Sequence, residues 1–221
     1  MFVKELWRYP AKSMAGEQIE EARIGALGIA GDRQILVRGG NGRVITARTH
    51  HKLLGLKGTL DADGRARIDG YDWDSPEARE LVRKAVGQAD AELFEYKGSE
   101  RFDILPLLVA TDGAIAHMGF DTRRLRPNIV IGGVEGLAER EWPGRKLRIG
   151  ETVVVAPAQL RGRCVMTTYD PDTLKQDLGV LRKIVKELDG TMALDTAVEL
   201  GGVVRVGDPV VLESSKKGGR P

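Results

Sequence analysis

The chain has 221 residues, 42% hydrophobic and 30% charged, a globular composition with room for one large domain or two small ones and a sizeable core. Thirty-four Lys and Arg against 32 Asp and Glu leave a net charge of +2, too small and dispersed to mark a nucleic-acid or membrane-surface binder, so neither partner is expected and any anion site must be local. A single cysteine excludes internal disulfides and a cysteine-built iron–sulfur cluster and favours a reducing compartment. With no signal-peptide core in MFVKELWRYPAKS and no run of about 18 apolar residues to span a bilayer, a cytoplasmic protein is expected.

Many of the 28 glycines separate short apolar runs, the pattern of compact strands joined by turns, so the chain is expected to be α+β and mainly β. Strands are predicted at 3–9, 34–38, 43–47 and 66–68. In DSPEARELVRKAVG, Ser75 can cap a helix, Pro76 suits its first position, Ala78, Leu81, Val82 and Ala85 share a face, and Gly87 ends it. A strand at 91–96 follows. A boundary near 98–101 divides a strand-rich region, 1–98, from a second region, 99–213. A short helix begins at Thr111 or Asp112, where free backbone N–H groups favour an anion. Strands come next at 129–131, 146–149 and 152–156. A helix is predicted in LGVLRKIVKELDG, where Leu181, Ile184, Val185 and Leu188 share a face before Gly190. Two strands, VVRVG and VVLE, flank a turn at Asp208 and Pro209, and residues 214–221, SSKKGGRP, read as a flexible tail.

A lone cysteine is commonly a small buried hydrophobe. Cys164 in RGRCVMTTYDP, however, stands beside Arg161 and Arg163, the setting in which a thiolate attacks, carries sulfur or binds metal. No Cys/His pair has zinc spacing, and His50, His51 and His117 do not form HxxxH or HExxH. A soft metal at Cys164 would therefore need its other ligands from a cofactor. Arginine-centred segments recur in YPAKS (Lys12, Ser13), AGDRQ (Asp32, Arg33), TARTH (Thr46, Arg48) and RRLRPN (Arg123, Arg124, Arg126, Asn128). Each alone could be surface charge, or a fork for phosphate or carboxylate. Asp112 is a helix cap or an acid beside a metal or substrate. No P-loop, dinucleotide fingerprint or serine-nucleophile elbow is present.

Seven segments in order, RYPAKSMAG, GDRQILV, VITART, LLVATDGAI, LRPNIVIGG, GRCVMTTYDPDT and VRVGDPV, resemble the landmarks of the MOSC family, named for the C-terminal domain of molybdenum cofactor sulfurase. The resemblance implies a β-barrel-rich MOSC fold packed on an N-terminal β-barrel-like region, with a cofactor in the cleft between them. It implies a molybdenum cofactor, a molybdopterin with a phosphate tail, whose metal takes a sulfur from Cys164. Lys12, Ser13 and Arg33 match cofactor contacts, Arg48, Arg126 and Asn128 occupy positions that hold pterin or phosphate, and Thr111 and Asp112 match the region near the metal, Asp112 as a proton relay. It also implies an oxidoreductase that removes oxygen from N-hydroxylated or N-oxide-type small molecules, with electrons from a separate ferredoxin- or flavoprotein-type partner. The alternative is a sulfur carrier or cofactor-handling module with a persulfide on Cys164. No lysine is singled out as a Schiff base, so pyridoxal phosphate is not expected. The chain departs from the family pattern at Met14, at Gln34 and Ile35, and after DPDT, where an aromatic segment is missing.

Overall fold

The computed structural model describes residues 1–213; the expected tail, 214–221, lies outside the described residues. An eight-stranded sheet runs in the order Val210–Leu212, Leu147–Ile149, Val153–Gly162, Thr191–Leu200, Leu107–Thr111, Ile129–Gly132, Phe2–Arg8, Glu17–Ile19. All neighbours are antiparallel except Leu107–Thr111 with Ile129–Gly132, a parallel pair that needs a crossover. That crossover carries helix α2 (Asp112–Met118). Phe2 also bridges Pro209, and the Val3 and Val210 N–H groups donate to the Asp208 and Met1 carbonyls at 2.9 Å. The sheet thereby closes into a barrel, which removes two edges that would otherwise attract other strands.

Alternate side chains of these strands fill the barrel: Val3, Leu6, Leu107, Val109, Ile129, Ile131, Leu147, Ile149, Val153 and Val155 are buried in one cluster. Val3 and Leu6 both point inward because a bulge between Val3 and Glu5 shifts the register. A second core comprises Met14, Ile35, Val37, Leu53, Ile68, Val82 and Leu93 among others. It lies beneath two three-stranded sheets and helix α1 (Pro76–Val86). Among the described residues, the only hydrophobic side chains of the second half of the chain packed against it are those of the segment after Cys164, Met166, Tyr169 and Leu174. The cysteine turn is thus the joint between the two cores.

Helix α1 follows its local signals: Ser75 Oγ accepts from the Ala78 N–H at 3.1 Å and Gly87 closes the helix in the left-handed region at φ 69°. Helix α3 (Leu178–Leu188) ends on Asp189 and Gly190, both left-handed. It buries only Ile184 and Leu188 of the expected face, while Val185 is 56% exposed. The strand expected at 152–156 continues to Gly162, and the strands Leu107–Thr111 and Thr191–Leu200 escaped sequence reading. Leu107–Thr111 is buried at every position, so it shows no polar alternation to read. The first strand, though at the far end of the chain from the second region, completes the large barrel. No helix among the described residues is long and apolar enough to cross a membrane.

Candidate functional site

Backbone hydrogen bonds draw the arginine-bearing segments together. The Arg33 N–H donates to the Tyr9 carbonyl at 2.7 Å, and the Tyr9 N–H donates to Asp32 Oδ1 at 2.8 Å. The Lys12 N–H donates to the Ile35 carbonyl at 2.8 Å and the Ile35 N–H to the Pro10 carbonyl at 3.0 Å, so YPAKS and GDRQI run side by side. Arg126 Nη1 reaches the Met14 carbonyl, and Arg33 Nη1 reaches Asn128 Oδ1 at 3.2 Å. Arg163 Nη2 donates to the Leu125 carbonyl at 2.8 Å, and Arg124 donates to the Thr167 carbonyl at 3.3 Å and Asp170 Oδ2 at 3.0 Å. These last contacts tie RRLRPN to the cysteine turn. Cys164 itself is half-buried and opens a 3₁₀ turn, Val165–Thr168, its carbonyl accepting from the Thr167 N–H and Oγ1.

The result is one cleft lined by Lys12, Ser13, Arg33, Arg48, Arg126, Asn128 and Cys164, together with Asp103, Arg124, Arg161 and Arg163. Seven bases face one carboxylate, a local anion site in a chain of near-neutral charge. Most of these bases are already paired. Asp103 lies 3.0 Å from Lys12 Nζ and 2.8 Å from Arg48 Nη2, Arg33 pairs with buried Asp32, and Arg124 pairs with Asp170. Arg161 Nε lies 2.7 Å from buried Asp195 Oδ1, close enough to pair by charge although its N–H is misaligned for a hydrogen bond. Burial would raise the Asp103 carboxyl, but Lys12, Arg48 and Arg161 outweigh it and hold it below the usual carboxylate range.

Arg126 and Arg163 differ. Neither lies within ion-pair distance of a carboxylate, and Arg126 Nη2 and Arg163 Nε are buried without a hydrogen-bond partner, among the described residues. Burial pulls each guanidinium down to about 10, with a neighbouring arginine adding to the effect, Arg33 for Arg126 and Arg161 for Arg163. A buried charge and an unsatisfied N–H each cost free energy that a bound anion would recover. Ser13, Arg33 and Arg126 also hold left-handed backbone, φ 69°, 53° and 58°, a conformation that non-glycine residues adopt only where the surroundings enforce it.

Thr111 and Asp112 are not brought to this cleft, which corrects the expected placement beside the metal thiolate. The cleft takes Leu105 and Leu108, at the start of the strand Leu107–Thr111, whereas Asp112 follows the other end, four residues or roughly 13 Å farther along. Thr111 caps α2 by accepting from the Ala114 N–H at 3.3 Å and donates to buried Glu139. Asp112 accepts from the Gly133 and Val134 N–H groups at 3.0 and 3.1 Å. Asn128 lines the cleft, yet its amide is spent on the Leu108 N–H, Arg33 and the Trp7 carbonyl. Asp103 and Tyr9 were missed by sequence reading: Asp103 sits in an unremarkable loop, and Tyr9 was read only as the end of a strand.

Residues 1–103 match the MOSC N-terminal beta barrel domain, and residues 109–211 match the MOSC domain. The chain belongs to the MOSC family. This MOSC protein is 26% identical to human mitochondrial amidoxime-reducing component 1 over 95% of its own length and 82% of that relative. It is 27% identical to human mitochondrial amidoxime reducing component 2, over 94% and 82%. Its fold superposes on the YuaD protein of Bacillus subtilis with a TM-score of 0.52 at 14% identity, covering 95% of this chain and 93% of that one, a likeness of architecture. MOSC proteins typically bind a molybdenum cofactor. The residues present fit such a group: one soft thiol faces the cleft, and two half-buried arginines carry buried, unspent N–H donors suited to a phosphate. No group of three or more His, Cys, Asp or Glu among the described residues could hold a metal without further ligands.

Proposed function

We propose that this MOSC protein is a molybdenum-cofactor oxidoreductase that reduces N-hydroxylated or N-oxide-type small molecules with electrons from a separate donor protein. The observation that carries the reading is the pair of uncompensated arginines, Arg126 and Arg163, in the same cleft as the only cysteine. Distant kinship to the amidoxime-reducing components supports the reaction class. Conversion of R–NH–OH to R–NH₂ and water breaks one N–O bond and consumes two electrons and two protons. When bound, the molybdenum centre supplies the two-electron exchange that side chains cannot.

Cys164 would provide the protein thiolate, held in place by the 3₁₀ turn that Arg124 clamps through the Thr167 carbonyl and Asp170. Lys12, Ser13, Arg126 and Arg163 would hold the phosphate, and Arg33, fixed by Asp32 and Asn128, would hold the cofactor's polar edge. Asp103 is the carboxylate that lines the cleft. Held below the ordinary range by its cations, it is ionised at neutral pH and accepts hydrogen bonds; it is no proton donor. Asp112, distant from the cleft, has no proton-relay role in this scheme.

The test is turnover of an N-hydroxylated substrate such as benzamidoxime by protein from a host that makes molybdenum cofactor, with chemically reduced methyl viologen as electron source. Dye oxidation coupled to amidine formation is expected, and its loss in Cys164→Ser. Molybdenum-loaded protein that leaves every N–O substrate intact while carrying cyanide-releasable sulfur on Cys164 would overturn the reading in favour of sulfur transfer.

A further inference from the structure

A second cavity of about 380 Å³ adjoins the cysteine cleft and shares Arg124, Arg126 and Met166 with it. Its walls are aromatic and fixed. Tyr169 is stacked on His51 at 4.6 Å between ring centroids and 2° from parallel. Trp7 stacks on Tyr9 at 6.5 Å, and its Nε1 donates to Glu5 at 2.7 Å. The Tyr9 ring lies against the guanidiniums of Arg126 and Arg33, 4.4 and 5.0 Å from its centroid. Walls held this way lose little entropy when a flat ligand enters.

The polar groups of this cavity divide by sign. Both carboxylates are engaged: Glu17 accepts from Arg8 at 2.8 Å and from the Leu60 N–H at 3.0 Å, and Asp172 takes both forks of Arg123 at 2.7 and 2.8 Å. The charge left without a partner is cationic, and the neutral Tyr9 hydroxyl can donate or accept. Tyr9 is 3% exposed and its hydroxyl is buried without a partner; Arg126 Nη2 is likewise orphaned, and the Lys57 ammonium pairs with no acid, among the described residues. We infer that this cavity is a binding site for planar aromatic ligands whose polar end is an oxygen acceptor or anion, held by the Tyr9 hydroxyl and Lys57. The inference rests on the proposed function only in turning a substrate's reacting end toward Cys164. There it favours aryl hydroxamic acids over aryl amidoximes, whose product is a cationic amidinium that the Lys57 ammonium and the neighbouring guanidiniums would repel.

Calorimetric titration of the full-length protein with benzoate and with benzamidine, equal in shape and opposite in charge, tests the site directly. Benzoate is expected to bind at least about tenfold tighter. Tyr9→Phe, which keeps the ring and its stacking, is expected to weaken benzoate about tenfold, and Lys57→Met, at an exposed position, about threefold. Cys164→Ser, which removes the proposed metal ligand, is expected to leave benzoate affinity unchanged, so a protein without molybdenum would overturn the proposed function and not this site. Equal or tighter binding of benzamidine, absence of benzoate binding, or benzoate binding indifferent to both Tyr9→Phe and Lys57→Met would overturn the inference.

Discussion

The two ends of the strand Leu107–Thr111 carry polar residues of similar kinds with opposite fates. Past its C-terminal end, every polar group is consumed locally: Thr111 on Ala114 and Glu139, Asp112 on two backbone N–H groups. At its N-terminal end, beside Leu108, seven bases meet around Cys164, and two keep buried donors that nothing in the described chain satisfies. Both ends contain segments of the family pattern, so pattern alone does not separate a scaffold from a site. What separates them is whether the hydrogen-bonding and charge capacity is already spent.

The largest expected effect breaks the comparison at the cleft. Arg126→Met or Arg163→Met should abolish retention of pterin and molybdenum with at most a small drop in melting temperature, because relief of a charge with no counter-ion offsets the lost bond to the Met14 or Leu125 carbonyl; metal analysis beside calorimetry reads both. A large drop in melting temperature without loss of cofactor would make these arginines scaffold. At the other end the pattern should invert. Asp112→Asn should cost about 1–3 kcal/mol in chemical denaturation, since it weakens two charge-assisted backbone contacts, and should leave cofactor content intact.

Two titrations sharpen the contrast with smaller effects. The folded Asp103 carboxyl lies below its ordinary value despite burial, because Lys12, Arg48 and Arg161 stabilise its charge. Its contribution is therefore complete above the unfolded pKa of about 4 and is lost as pH falls through the lower folded value. Asp103→Asn should lower the melting temperature at pH 7 and lose less stability than wild type on acidification. Glu139 is shifted up by burial, so its penalty is absent in acid and grows as pH rises above the unfolded value of about 4.3. Glu139→Gln should raise the melting temperature slightly at pH 7 to 8 and leave it unchanged near pH 4.

Legibility in the sequence followed how local the determining physics is. Helix α1 was readable because Ser75, Pro76 and Gly87 act within a turn of where they stand. The first region's strands were partly readable, whereas Leu107–Thr111 and Thr191–Leu200 were not, since burial on both faces hides alternation and Asp195 and Thr196 are polar residues inside the fold. The cleft's arginines were visible as segments, but only long-range backbone contacts such as Lys12 to Ile35 and Arg163 to Leu125 show which of them meet. Asp103 carried no local signal; its meaning comes from Lys12 and Arg48, dozens of residues earlier. Thr111 and Asp112 show the converse, a familiar segment placed at the end of the strand Leu107–Thr111 away from the cleft.

The central claim is that the cleft holds a molybdenum cofactor through Cys164. Its most direct test is the molybdenum and pterin content of wild type and Cys164→Ser purified side by side from a host that makes the cofactor. Near-stoichiometric molybdenum and pterin in the wild type, with molybdenum lost from a folded Cys164→Ser, is the predicted result. A folded wild type free of both, or a variant that retains its metal in full, would contradict the account.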